Sequence, residues 1–539
     1  MAGAASGGFS IGRLFLRKSV GQIQADHEQS ELKRTLGPLN LILLGIGCVI
    51  GTGIFVLTGL AAARYSGPAI MVSFVITGTL CAFVALCYAE LASALPVSGS
   101  AYSYTYASMG EMAAWVMGVL LVLEYGLSAS TVAVGWSGYA ASLWQDIHHS
   151  LPFLPDIPPA FTAAPGVAVM DANGKQIAVG VINLPAIGII AAVIMLLVRG
   201  VSESATVNNI IVAIKLTVVI AFIAFGIGFV NTANWHPLIP AEVPAPPPGT
   251  PTDMFHQITR ALWSVFTGSE DSKYGVGGVI TGAARIFFAY LGFEAVSTAG
   301  AEAKNPARDM PIGIIGALVI CTILYIATSA VLVGIVPYAQ LDNPAPIAVA
   351  VNRMGMPWFA VAVKVGAIAG LTSVMLVLLY GQTRIFYTMS RDGLIPPFMS
   401  RVHPKFQTPW INTLIVGLVA CGAAGFLSLD ALADLSNVGS LAAFSLVCIT
   451  VIYLRFSSPN LVRPFRTPFF PVVPILGAVM CLFLLKSILN KPETGPFFLG
   501  YVGFGFVLYF VYGLWHSKLG KGEVVLGHEA DPMELPHTD

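Results

Sequence analysis

The chain has 539 residues, of which 56% are hydrophobic and 10% charged, with 27 Lys and Arg balanced by 27 Asp and Glu. Soluble domains carry roughly 25% charged residues, so too few are present to solvate a globular surface, and the zero net charge offers no basic field for nucleic acid. Long apolar stretches recur throughout, which leaves an all-α integral membrane protein of about twelve transmembrane helices.

Residues 1–38 are polar, contain Arg13, Arg17, Lys18, Lys33 and Arg34, and lack the compact apolar core of a cleavable signal. They read as a cytoplasmic N-terminal segment. A helix needs about 20 apolar residues to cross the hydrocarbon, which predicts spans at 39–60, 68–94, 112–141, 181–199, 207–230, 279–300, 312–336, 360–384, 411–428, 435–454, 470–489 and 497–516. With the N-terminus inside, roughly 17 Lys and Arg fall in cytoplasmic segments against roughly 7 outside. That asymmetry predicts that both termini are cytoplasmic, the tail being 517–539. The expected location is the cell (plasma) membrane, as a multi-pass protein.

Span 1 contains "LGIGCVIGTGIFVLTG" (44–59), interrupted by Gly45, Gly47, Gly51, Gly53 and Gly59. Glycine permits an unwound backbone and close approach of a ligand, and in hydrocarbon an unwound stretch is tolerated only where it is buried or lines a cavity. "Gly51-Thr52-Gly53" at mid-span reads as such a break, whereas Gly45 and Gly47 fit close helix packing equally well. Glu90 in span 2 lies near the cytoplasmic end and reads as a structural anchor, while Glu124 in span 3 is deeper and has no evident partner in the sequence. The outer loop 142–180 carries a "DANGK" turn.

Span 5 contains "VNNIIVAIKLTVVIAFI" (207–223), with Lys215 about two turns inside the apolar run. A buried lysine can exchange a proton near neutrality; the competing reading is snorkelling toward the cytoplasmic interface. The outer loop 231–278 holds "PAEVPAPPPGTP", which cannot form a regular helix, and ends in the amphipathic "MFHQITRALWSVF". That last piece fits an interfacial helix or an ordinary loop helix. Span 6 contains "RIFFAYLGFEAVSTAGAE" (285–302), with Gly292 at mid-span followed by Glu294. An intramembrane carboxyl group is costly and points to function, or else Glu294 faces a polar cytoplasmic vestibule. Arg285 and Lys364 lie near outer span ends and read as snorkelling side chains. Thr372 and Ser373 in span 8 can line a cation site or bond to the preceding turn.

Glycine breaks in the first and sixth spans are what an inverted repeat of five plus five helices predicts, with the site at the repeat interface. The positive end of a half-helix suits a carboxylate and freed carbonyls suit an ammonium group; a zwitterion matches both. The seven cysteines sit in apolar stretches without metal-like spacing and read as packing residues. No nucleophile–base pattern, nucleotide-binding loop or metal-ligand spacing occurs, so neither an enzyme nor a cofactor is expected.

Four stretches resemble the amino acid–polyamine–organocation superfamily, in particular bacterial permeases related to cationic amino acid transporters: "GIGCVIGTGIF" (45–55), "YAELASALPVSGSAYSYTY" (88–106), "FFAYLGFEAVSTAGAEAKNPARDMPIGI" (287–314) and "YGQTRIFYTMSRDGLIP" (380–396). The resemblance covers roughly residues 30–520. It implies a LeuT-like fold with a first repeat at 39–230, the loop 231–278, a second repeat at 279–454 and two extra helices within 455–516. It places a substrate carboxylate at Gly51, Thr52 and Gly53, and its ammonium group near carbonyls of Val49, Phe288, Ala289 and Leu291, with Phe288 as a lid and Glu294 nearby. It makes Lys215 the proton-coupling group, beside Thr372 and Ser373. Where cationic transporters often carry Asp, this chain has the longer Glu294, so a cationic substrate does not follow. The expected function is secondary active uptake of amino acids by proton symport through alternating access. An exchanger on the same fold is the alternative, and a membrane-embedded sensor a more distant one because the tails are short.

Overall fold

The structure is a computed structural model and describes residues 11–18, 34–96, 100–153, 155–170, 176–200, 205–244, 253–268 and 273–522. The "DANGK" turn, most of the proline-rich stretch, residues 97–99 of the second signature and most of both terminal segments lie outside the described residues.

Among the described residues, nine helical runs have the length and apolarity of membrane spans, and Pro38–Val49, Leu184–Val198 and Trp410–Phe426 are shorter apolar helices. Span 1 comprises Pro38–Val49 and a second half that starts at Gly53 and runs to Ser66. Gly67, at φ +59°, turns the chain into span 2, whose main helix is Ile70–Ala94. This positive φ suits glycine, which has no Cβ to clash. Span 3 is Glu111–Ser150, span 5 Val207–Phe229, span 7 Pro306–Ile335 and span 8 Pro357–Arg391. Spans 4 and 9 are the short helices Leu184–Val198 and Trp410–Phe426, and spans 10, 11 and 12 are Leu429–Ser457, Val472–Leu489 and Thr494–His516. Pro38, Pro185, Pro306 and Pro357 each stand in a first helical turn, where the missing N–H costs nothing.

Span 6 begins as Gly275–Ile286, tightens into the 3-10 turn Phe287–Tyr290, and resumes as the 3-10 stretch Glu294–Glu302. Packing between spans repeats with a period of five: span 2 lies against span 7, span 3 against span 8, and span 4 against span 9. Span 5 also packs on span 8 as span 10 packs on span 3. The ladder places spans 1 and 6 at the centre. The loop between spans 3 and 4 carries a small antiparallel hairpin, Ala168–Met170 with Gln176–Val179. Helix Met254–Thr267 precedes span 6 and leaves Phe255, Trp263 and Phe266 exposed while burying Ala261 and Val265.

Six of the seven cysteines are buried, as packing residues are expected to be. Glu90 takes a bidentate bond from Arg455 at 2.7 and 2.8 Å and accepts the Thr467 N–H at 2.8 Å. It is the anchor expected, joining span 2 to span 10 and to the segment after it.

Candidate functional site

Both sequence-expected breaks are present, and they face each other. In span 1 the helix ends at Val49, Ile50 is extended (φ −74°, ψ 95°), and helix resumes at Gly53. The Thr52 and Gly53 amides therefore stand at the start of the second half-helix, where the first N–H groups lack intrahelical acceptors. In span 6 Leu291 is extended (ψ 136°) and Gly292 lies at φ +113°, a backbone region that favours glycine.

The breaks interlock through missing side chains. A Cβ on Gly53 would stand 2.3 Å from Ala289 Cα, and a Cβ on Gly292 would stand 2.8 Å from the Cys48 carbonyl carbon. Each half thus presses backbone to backbone on the other. Gly51 is less confined, its nearest neighbour being a Val374 methyl at 3.4 Å. Phe288 is buried beside this contact. The Phe288 carbonyl accepts the Leu291 N–H at 3.2 Å.

Tyr325 of span 7 joins the two breaks directly. Its buried hydroxyl lies 2.8 Å from the Val49 carbonyl and 2.8 Å from the Ala289 carbonyl. Nothing in the sequence singles this residue out, because a tyrosine in an apolar run carries no charge or motif that marks it. Thr52 Oγ1 is buried without a hydrogen-bond partner among the described residues, and Gly135 of span 3 packs against that side chain.

Lys215 is fully buried, and its ammonium donates to the Gly47 carbonyl at 2.7 Å, in the turn just before the span 1 break. Snorkelling is therefore not its conformation. Its stem runs past Gly370 of span 8, where a Cβ would lie 2.9 Å from Lys215 Cγ. Ser373 follows one turn later on the same helix face. Its neighbour Thr372 is held elsewhere: it donates to the Ile368 carbonyl at 2.8 Å and accepts the Trp136 indole N–H at 3.0 Å. The geometry thus separates two residues that are neighbours in the sequence.

A buried polar cluster adjoins the span 6 break. Glu294 accepts the Gly292 N–H at 2.8 Å and faces Glu124 of span 3. Glu124 sits in a π-helical turn, Val122–Leu127, a distortion common at functional sites. Both Glu124 oxygens, the Tyr88 and Tyr125 hydroxyls and both amide atoms of Gln382 are buried without a hydrogen-bond partner among the described residues. Tyr88, Tyr125 and the two glutamates interact electrostatically, and Tyr125 packs on Gly381 next to Gln382. Glu294 is thus the charged neighbour of Glu124 that the sequence did not reveal.

Charged pairs close both ends of the bundle. On the face opposite the N-terminus, Arg285 binds Asp434 and lies 5.0 Å from the Tyr65 ring centroid, and Lys491 reaches the same Asp434 at 2.8 Å. Arg64 binds Asp342 and Asp430, and Lys364 binds Asp146 at 2.5 Å. Arg285 and Lys364 are buried in these pairs, so the expected snorkelling does not occur. On the N-terminal face, Lys18 binds Asp392 at 2.7 Å and Tyr102 donates to the same carboxylate at 2.9 Å.

Residues 36–512 match the family profile described as amino acid permease. The chain belongs to the amino acid permease family. The permease is 44% identical over 508 residues to the methylthioribose transporter of Bacillus subtilis (strain 168), covering 94% of this chain and 99% of that protein. It is 42% identical over 512 residues to the branched-chain amino acid permease BcaP of the same organism, covering 95% and 100%. It is 35% identical over 430 residues to cationic amino acid transporter 4, vacuolar, of Arabidopsis thaliana, covering 80% of the permease and 64% of that relative.

Proposed function

We propose that the permease is a proton-coupled secondary transporter that carries L-amino acids into the cell by alternating access. It would sit in the plasma membrane, with both termini on the cytoplasmic side that the basic residues of its loops favour. The substrate carboxylate takes the Thr52 and Gly53 amides, with Gly51 leaving room beside them. The ammonium group takes the carbonyls of Val49, Phe288, Ala289 and Leu291, and Phe288 covers it. The distal part of the side chain points to Glu294 and the polar cluster around Glu124. Buried polar groups without protein partners are uncommon, and a substrate or water gives these theirs.

One observation carries the coupling: the Lys215 ammonium bonds the Gly47 carbonyl at 2.7 Å. A charged donor strengthens that bond roughly twofold over a neutral one. Protonated Lys215 therefore clamps the first half of span 1 to span 5. Proton loss weakens the clamp and frees the half-helix to move, with Ser373, and less directly Thr372, on the span 8 side of the same region.

The test is uptake in proteoliposomes. Lys215→Met should abolish uptake driven by a pH gradient while leaving the protein folded. Uptake that kept its gradient dependence would remove Lys215 from the mechanism. Counterflow without net uptake in the wild type would select the exchanger. The substrate panel should hold the twenty amino acids and methylthioribose, the substrate in the name of one relative; transport of methylthioribose alone would overturn the amino acid assignment.

A further inference from the structure

The Tyr325 hydroxyl lies within hydrogen-bond distance of two carbonyls that belong to different broken helices, Val49 and Ala289, at 2.8 Å each. The two acceptor oxygens are therefore no more than twice that distance apart and converge on one point. A phenol has one proton, so it cannot satisfy both acceptors fully at once. Each carbonyl has two lone pairs and keeps capacity for a second donor. An ammonium group has three protons and suits such a convergent pair.

The tyrosine is itself fixed. Its ring is fully buried, lies tilted against Phe74 at 5.4 Å and meets Tyr290 edge-on at 5.5 Å. The Tyr290 hydroxyl is anchored on the Phe74 carbonyl at 2.9 Å. Spans 2, 6 and 7 thus hold the phenol where it meets both carbonyls.

We propose that Tyr325 is a positioning residue that aims the Val49 and Ala289 carbonyls at the amine of the substrate and so sets the discrimination for an α-amino group. The proposal rests on the amino acid reading above. It adds a residue from span 7, outside the two broken helices.

The experiment compares inhibition of radiolabelled amino acid uptake by the unlabelled L-amino acid and by its α-hydroxy acid, in wild type and Tyr325→Phe proteoliposomes, with the melting temperature of each protein recorded. The label is the best substrate of the wild type among the twenty amino acids. The expected result is a loss of about 10-fold or more in affinity for the amino acid, the size of a lost hydrogen bond to a charged group, with affinity for the hydroxy acid unchanged. The ratio of the two affinities falls accordingly. Parallel weakening of both ligands, or no change in the ratio, would reduce Tyr325 to a packing residue and overturn the proposal. If Y325F does not fold, Tyr325→His, whose shorter side chain withdraws the donor from the two carbonyls, should lower the ratio as well; an unchanged ratio in that variant overturns the proposal equally. A wild-type protein that takes up no amino acid would instead overturn the transport reading, and the proposal with it.

Discussion

At the scale of single residues, the site is defined as much by absent side chains as by present ones. Gly53→Ala would set a Cβ 2.3 Å from Ala289 backbone, which cannot rotate away. The expected outcome is loss of uptake together with about 1–3 kcal/mol of stability, the cost of overpacking, read from uptake assays and melting curves. Gly51→Ala meets only a Val374 methyl at 3.4 Å, an ordinary contact, and should leave the melting temperature near wild type. The reverse ranking would mean that the breaks do not touch as described. These glycines were legible in the sequence because an interruption of an apolar run is a local signal. Which side chain faces which neighbour is not local. Thr372 and Ser373 are adjacent letters, yet one bonds Trp136 and the other lies on the Lys215 side, since successive residues of a helix point in different directions. Tyr325 was illegible for a related reason: its importance lies in two acceptors on other spans.

Among the helices, charged pairs fasten the broken spans to their frame. Asp434 near the start of span 10 receives Arg285 of span 6 and Lys491. Removing one partner of a buried pair leaves an uncompensated charge, at a cost of about 3–5 kcal/mol. Asp434→Asn should therefore loosen that end of span 6. A cysteine placed at Thr281, one turn above Arg285 and 8% exposed, should then react with a membrane-impermeant thiol reagent at least about tenfold faster. An unchanged rate would show that packing alone keeps this end shut. The sequence alone points to snorkelling for Arg285 and Lys364, because each stands near a span end. Their partners, Asp434 and Asp146, arrive from spans far away along the chain, and a hydropathy pattern carries no record of such pairings.

For the whole molecule, the number, order and breaks of the spans were readable from apolar length and glycine placement, because bilayer thickness dictates both. The closure on the N-terminal face was not readable, since it depends on a polar segment before span 1. There Leu16 accepts the Glu111 N–H at 3.0 Å, Arg13 reaches the Gly520 carbonyl at 2.9 Å, and Lys18 meets Asp392 at 2.7 Å. Residues from both ends of the chain therefore meet at the ends of spans 3 and 8. Lys18→Met strands the Asp392 carboxylate with Tyr102 as a weaker donor, and the melting temperature should fall by a few degrees, consistent with a loss of about 3 kcal/mol. A melting curve identical to wild type would mean the segment merely rests on the bundle.

The paired charges on the opposite face differ in their contact with water. Arg64, Asp342 and Asp430 are 34%, 47% and 42% exposed at the side chain, whereas Arg285 and Asp434 are 9% and 4%. Dissolved ions screen the first group within about 8 Å at 0.15 M and about 3 Å at 1 M, and hardly reach the second. Raising ionic strength should thus soften the rim of this closure and spare its interior. In a KCl series, the Arg64→Gln variant should lose whatever salt dependence the wild-type transport rate shows, and Asp434→Asn should retain it.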